Sequence, residues 1–470
     1  MYKLLLCWRY LLTRYLALAC IVSVLLGVAT LIVVNSVMSG FSTKLRERLH
    51  GLLSDVLIEA TGMEGFGSPG EKMARIKNDP FLKDRVEVMT PTLEVFAMMQ
   101  FNMPNGELMT RPIRLIGIEI EGRSKLGGFQ ENLKETRHKP SFEISAEAKR
   151  RYEHRNRQLL MQLQRPAPRN PNEPPPPAEP ERSIKLPHGA IVGNLIASFR
   201  VKEPDGKARE FYLLKPGDQV IITTVSGARL APVYDNFVVV DYFKSEMSEY
   251  DSNYVFVPLD YLQHLRTMED RVTSILVKLK DPSEGEKVVK ALKAMFAAEV
   301  NAHQLQIETW ETKQSPLLQA ISIEKGILNI LLFLIIAVAG FGILAIFSMI
   351  VAEKTRDIGI LKALGASNFG VMKIFLSYGL LLGLVGTGLG TLLGLTITMN
   401  INSVEQFLSK ITGADIFPRD VYYFNEIPTD IQPMSVVLVS LGAVAIAVFA
   451  SVLPALRAAM LHPVRALRYE

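Results

Sequence analysis

Glu353-Lys-Thr-Arg-Asp-Ile-Gly-Ile-Leu-Lys-Ala-Leu-Gly-Ala-Ser367 is the stretch on which the reading of this chain turns. It is a sizeable polar insertion between two long apolar runs, so a chain that has crossed a membrane must emerge here and return within about twenty residues. Ile358, Leu361 and Leu364 recur at helical spacing, while Lys354, Asp357 and Lys362 fall elsewhere on the wheel. Gly365 is a natural helix stop, and Ser367 a natural cap for the next helix. The spacing predicts a short amphipathic helix lying along the membrane surface. The plainer alternative is a solvated turn between helices.

Working outward, four runs carry no charge: Tyr15 to Thr43, Gly326 to Ala352, Ile374 to Val404 and Ile431 to Leu456. Each exceeds the roughly 20 residues needed to cross about 30 Å of hydrocarbon as a helix. With 470 residues, 49% of them hydrophobic, a mixed membrane and soluble protein is expected. Lys3, Arg9, Arg14, Lys354, Arg356, Lys362, Lys373, Arg457, Arg465 and Arg468 fall on one side of the four spans, against Lys410 and Arg419 in the other short loop. By the positive-inside rule both termini and the hairpin are cytoplasmic, and Met38 to Lys325 is extracytoplasmic.

The first run holds Leu16-Ala-Leu-Ala-Cys20, which faintly resembles a lipoprotein cleavage site. The apolar segment continues through Val34 instead of ending there, so an uncleaved anchor is the better reading. Cys7 and Cys20 both lie in or before this run, so the large soluble part cannot rest on disulfides. A net charge of +5 with scattered basic residues gives no support to nucleic-acid binding.

Beyond the first span, Ser42 to Leu53 keeps helical character and reads as a stalk. Val56 to Ala60, Arg85 to Gln100 and Leu108 to Ile120 read as strands, and Glu71 to Asn78 as a helix. Between residues 121 and 186 the composition shifts to a basic segment and then the Pro-rich Arg165 to Glu181, either a solvated insertion or a stiff docking arm. Ala190 to Phe199 reads as a helix, and Asn236 to Phe243 and Tyr254 to Pro258 as strands. The acidic, aromatic loop Lys244 to Asn253 carries no paired base and nucleophile, so it reads as structural. Val272 to Leu279, Ser283 to Ala298 and Leu305 to Thr309 give β-α-β, which with the unit after Val56 permits a split ferredoxin-like subdomain. Trp310 to Lys325 is a second stalk.

In the third span Gly386, Gly390 and Gly394 share one face, the signal for close packing of membrane helices. Neither a GxxxxGK[ST] loop nor a metal-ligand spacing occurs, and the spans hold no ionisable residue that would mark an ion path. No catalytic residues, metal ligands or cofactor are expected in this chain.

Several stretches together resemble the permease subunits of lipoprotein-releasing ABC transporters, the LolC/LolE type, within the wider family that holds the MacB and FtsX permeases. They are Ile32 to Phe41, Glu249 to Leu259, the hairpin itself, Val421 to Pro428 and Leu453 to Glu470. The resemblance implies an α-helical membrane protein with four transmembrane helices and a large α+β periplasmic domain on helical stalks. The expected division is residues 1–41, terminus and first span; 42–325, periplasmic domain; 326–352, second span; 353–368, coupling helix; 369–400, third span; 401–432, periplasmic loop; 433–457, fourth span; and 458–470, cytoplasmic tail.

The resemblance further implies that Glu353, Lys354, Arg356, Asp357, Ile358, Leu361, Leu364 and Gly365 meet a separate ATPase subunit, which binds the ATP and Mg. A second permease copy or paralogue, a lipoprotein substrate, a periplasmic chaperone and membrane lipids are the other expected partners, in a bacterial inner membrane. The alternative within the same family is a MacB- or FtsX-like mechanotransmitter for periplasmic export or cell-wall hydrolase regulation.

Overall fold

The computed structural model describes residues 15–103, 106–163, 186–202, 208–227, 231–413, 417 and 426–467. Lys3, Arg9, Arg14, Arg419 and Arg468, the Pro-rich Arg165 to Glu181, and residues 421–425 of the Val421 to Pro428 stretch lie outside the described residues. The chain forms two compact units, Met1–Leu45 with Pro316–Glu470, and Arg46–Ser315.

The first unit is built on helices long and apolar enough to cross a membrane. Helix α1 (Tyr15–Leu53) begins in this unit and ends in the second. The second unit then runs through β1 (Val56–Ala60), α2 (Pro69–Asn78), β2 (Val86–Asn102), β3 (Leu108–Ile118), α3 (Ala146–Leu163) and β4 (His188–Gly193). It continues as β5 (Ser198–Lys202), β6 (Ala208–Tyr212), β7 (Gln219–Val225), β8 (Pro232–Phe243) and β9 (Tyr254–Pro258). It closes with β10 (Ser274–Leu279), α4 (Gly285–Met295) and β11 (Leu305–Thr309). The chain returns to the first unit in α5 (Ser315–Glu353), α6 (Thr355–Ala363), α7 (Asn368–Met399), α8 (Ile401–Thr412), α9 (Pro433–Met460) and α10 (Pro463–Leu467).

In the α+β unit the large sheet runs β11-β1-β10-β2-β3-β9-β4-β8-β7, and β7 pairs again with β2. Its first four strands are antiparallel, with Ile58 opposite both Ile275 and Ile307. That order, with α2 after β1 and α4 after β10, is the split ferredoxin-like arrangement, closed by segments about 200 residues apart in the chain.

Strand β2 is long enough to serve two partners: Val86 to Thr92 pairs with β10, and Met98 to Gln100 pairs with β7. The second pairing closes β2, β3, β9, β4, β8 and β7 into a barrel. The alternation of β2 explains its core, since Leu93, Val95, Ala97, Met99 and Phe101 are buried while Phe96 and Met98 are exposed.

Ala190 to Phe199 is not a helix. His188 to Gly193 is a strand between β9 and β8, only Asn194 to Ala197 is helical, and Ser198 opens β5. Ala190, Ile191 and Val192 are fully buried in the sheet, so burial and β-branched shape override the helical reading. The expected helix at Ser283 to Ala298 starts as a 3-10 turn at Pro282–Glu284 and ends at Met295.

In the membrane unit Val24, Val28 and Ile32 of α1 pack with Ile343 and Phe347 of α5, Tyr378 and Leu382 of α7, and Ala443 and Ala447 of α9. Ile327, Ile330, Phe333, Leu334, Val338 and Phe341 of α5 remain exposed. A lipid-facing surface has that character, because hydrocarbon solvates Leu and Phe as well as a protein interior does.

Candidate functional site

The polar hairpin is built by three local stops. α5 ends at Glu353, Lys354 takes a non-helical turn, and α6 runs from Thr355 to Ala363. Gly365 sits at φ +97°, a conformation that favours glycine, and Ala366 N–H reaches back to Leu361 O at 3.0 Å to close the helix end. Ser367 then caps α7, its hydroxyl accepting from Gly370 N–H at 3.1 Å.

The structure divides the apolar set that the sequence placed on one face. Ile358 is buried against Val351, Val371 and Ala458, whereas Leu361 is 43% and Leu364 81% exposed. Residues six apart stand about 120° apart on a helix wheel, so a helix resting on a bundle can bury one and present the other. Ile358 is therefore an internal anchor, and the exposed apolar edge is Ile360, Leu361 and Leu364. Burying one such side chain contributes about 1.5–3 kcal/mol, a gain that Ile358 realises inside the chain and Leu364 leaves available to another molecule.

Charge obeys the same division. Lys362 Nζ donates to Leu461 O at 2.7 Å and to Ala459 O, meeting the carbonyl end of α9 where a cation is favoured. Lys354 pairs with Asp357 at 2.6 Å. Glu353, Arg356 and Asp357 are exposed.

The glycine face of α7 meets α1. A Cβ on Gly386 would stand 2.9 Å from Val24 Cβ, one on Gly390 2.7 Å from Leu25 O, and one on Gly394 3.1 Å from Ala29 Cα. Gly379 and Gly383, on another side, face Ser451 and Ala447 of α9. The Ile32 to Phe41 and Val421 to Pro428 stretches also meet: a Cβ on Gly40 would stand 2.5 Å from Pro428 O, and nearby Asp430 N–H donates to Ser36 O at 2.9 Å. Residue spacing could flag the glycines but not this approach.

In the α+β unit the acidic loop Lys244 to Asn253 is held by its own carboxylate. Asp251 accepts from Ser245 N–H and Ser245 hydroxyl, both at 2.7 Å, and from Glu246 N–H at 3.1 Å. Burial pushes its carboxyl up to about 6, against the pull of those donors. Among the described residues no group of three His, Cys, Asp or Glu side chains could hold a metal ion.

Residues 329–463 match the FtsX-like permease C-terminal domain, the segment that contains the hairpin, the glycine face and α9. Over its length the chain is 28% identical to the lipoprotein-releasing system transmembrane protein LolC of Xylella fastidiosa, across 97% of this chain and 94% of that one. LolC of Neisseria meningitidis is 29% identical over 62% of this chain and 70% of its own. LolE of Haemophilus influenzae is 29% identical over 46% and 51%. The periplasmic region of MacB from Actinobacillus actinomycetemcomitans covers 58% of this chain and 97% of its own at 12% identity and a TM-score of 0.28, a likeness too loose to argue from.

Proposed function

We propose that this chain, an FtsX-like permease over residues 329–463 and similar to LolC and LolE along nearly all of its length, is the permease subunit of an ABC transporter that releases lipoproteins from a bacterial inner membrane. The similarity to LolC across 97% of the chain carries the reading. In it the termini and hairpin are cytoplasmic and Arg46–Ser315 is periplasmic. A separate ATPase binds ATP and Mg and docks on α6, through Ile360, Leu361 and Leu364 with Glu353, Arg356 and Asp357 at the rim. Its closure presses on a helix already tied to α9 by Lys362, and α1 and α5 carry the motion outward. A second permease copy or paralogue completes the transporter, and Arg165 to Glu181 is offered as an arm for a periplasmic chaperone.

The test is purification of the full chain from its own membranes, with depletion in parallel. An ATPase subunit should co-purify, and lipoproteins should accumulate in the inner membrane on depletion. Absence of an associated ATPase, or unchanged lipoprotein distribution, would overturn the reading.

A further inference from the structure

We propose that α8 is an interfacial helix that lays its apolar side into the lipid bilayer at the end of α7 remote from α6. The inference requires only the four spans, and stands or falls separately from the lipoprotein reading.

Ile401, Val404, Phe407, Leu408 and Ile411 fall within an arc of about 120° on the helix wheel, opposite Asn402, Gln406 and Ser409. Phe407 is 64%, Leu408 42% and Ile411 68% exposed, and no residue of α8 is buried. The polar side is the one the chain itself uses: Asn402 Oδ1 accepts from Ile427 N–H at 2.8 Å. That loop is in turn fastened to α1 through Asp430 and Gly40. Ile401 and Val404 at the start of the helix are half-buried, and from Phe407 onward the apolar side is open, away from the described contacts of the polar side.

Connectivity says what covers it. Asn400 alone separates α8 from Met399, the last residue of α7. From Lys373 to Met399 the helix rises about 39 Å, more than the ~30 Å hydrocarbon layer and less than the ~40–45 Å that includes the headgroups. α8 therefore begins in the headgroup layer. The exposed apolar side of α7, with Leu389, Leu392 and Met399, leads directly into it. A helix with a wide apolar face, tethered by one residue at that depth, lies in the plane of the interface with that face toward the acyl chains.

The test is a nitroxide scan of Ile401 to Thr412 in the full chain, with Cys7 and Cys20 replaced by alanine, in nanodiscs of mixed zwitterionic and anionic phospholipid. Labels at Phe407, Leu408 and Ile411 should collide several-fold more with oxygen than with a water-soluble nickel chelate, and labels at Gln406 and Ser409 should do the reverse. High nickel accessibility at Phe407 and Ile411 would place the face in water. Low accessibility to both reagents there would place it against protein, a second copy included. Either result overturns the proposal.

Discussion

Lys362 donates through Nζ to the carbonyl oxygen of Leu461 at 2.7 Å, although the two residues are 99 positions apart in the chain. The bond fixes the short polar helix to the C-terminal end of the last long helix, so the hairpin is a docked element and not a loose turn. Its exposed leucines are thereby held on a rigid support.

Replacing Lys362 with methionine keeps the aliphatic stem and removes both bonds to the α9 carbonyls. Charge-assisted hydrogen bonds of this kind contribute about 1.5–3 kcal/mol each at most, less where solvent reaches them. The variant should lose about 1–2 kcal/mol in thermal unfolding in detergent, and trypsin should cut the hairpin faster. Unchanged proteolysis would show that the tie to α9 does not hold the helix.

The glycines of α7 make a paired prediction. Gly390→Val should block the approach of α1, because Leu25 O already stands 2.7 Å from where the first added carbon would go. Gly388→Ala should be tolerated, since nothing lies within 4 Å of its added carbon. Folded yield after size-exclusion chromatography separates the two: a large loss for the first and none for the second. Equal behaviour would contradict the packing described for α1 and α7.

Asp251 makes a pH prediction. Burial raises its carboxyl to about 6 from an ordinary 3.8, so between those values the folded chain holds a proton that the unfolded chain releases. Its contribution to stability is fully present below about 4 and lost as pH rises through about 6. Asp251→Asn should flatten this part of the curve of unfolding midpoint against pH. An unaltered slope would assign the titration elsewhere.

Much of this architecture was legible in the residues. The four uncharged runs announce four long helices because hydrocarbon excludes charge over a fixed thickness. The two β-α-β patterns at the ends of the α+β unit announce a sheet closed by distant halves. Barrel closure was not legible: the alternation of Leu93 to Phe101 says that β2 has a buried face, but not that β7 covers its far end. Ala190 to Phe199 misled because so short an apolar stretch, broken only by Gly193, Asn194 and Ser198, has no clear period by which strand and helix differ. At the hairpin, spacing placed Ile358, Leu361 and Leu364 together. What rests beneath the helix decides which of them faces outward, and Val371 and Ala458 come from elsewhere in the chain.

In the proposed transporter the outward edge of α6 receives the ATPase. The most direct measurement is co-purification of the ATPase subunit with the Leu361→Asp, Leu364→Asp double variant, alongside an Ile358→Val control. Both side chains are exposed, so the double variant should fold as the parent does while ATPase association falls at least tenfold, and the control should retain it. Undiminished association by the double variant would contradict the account.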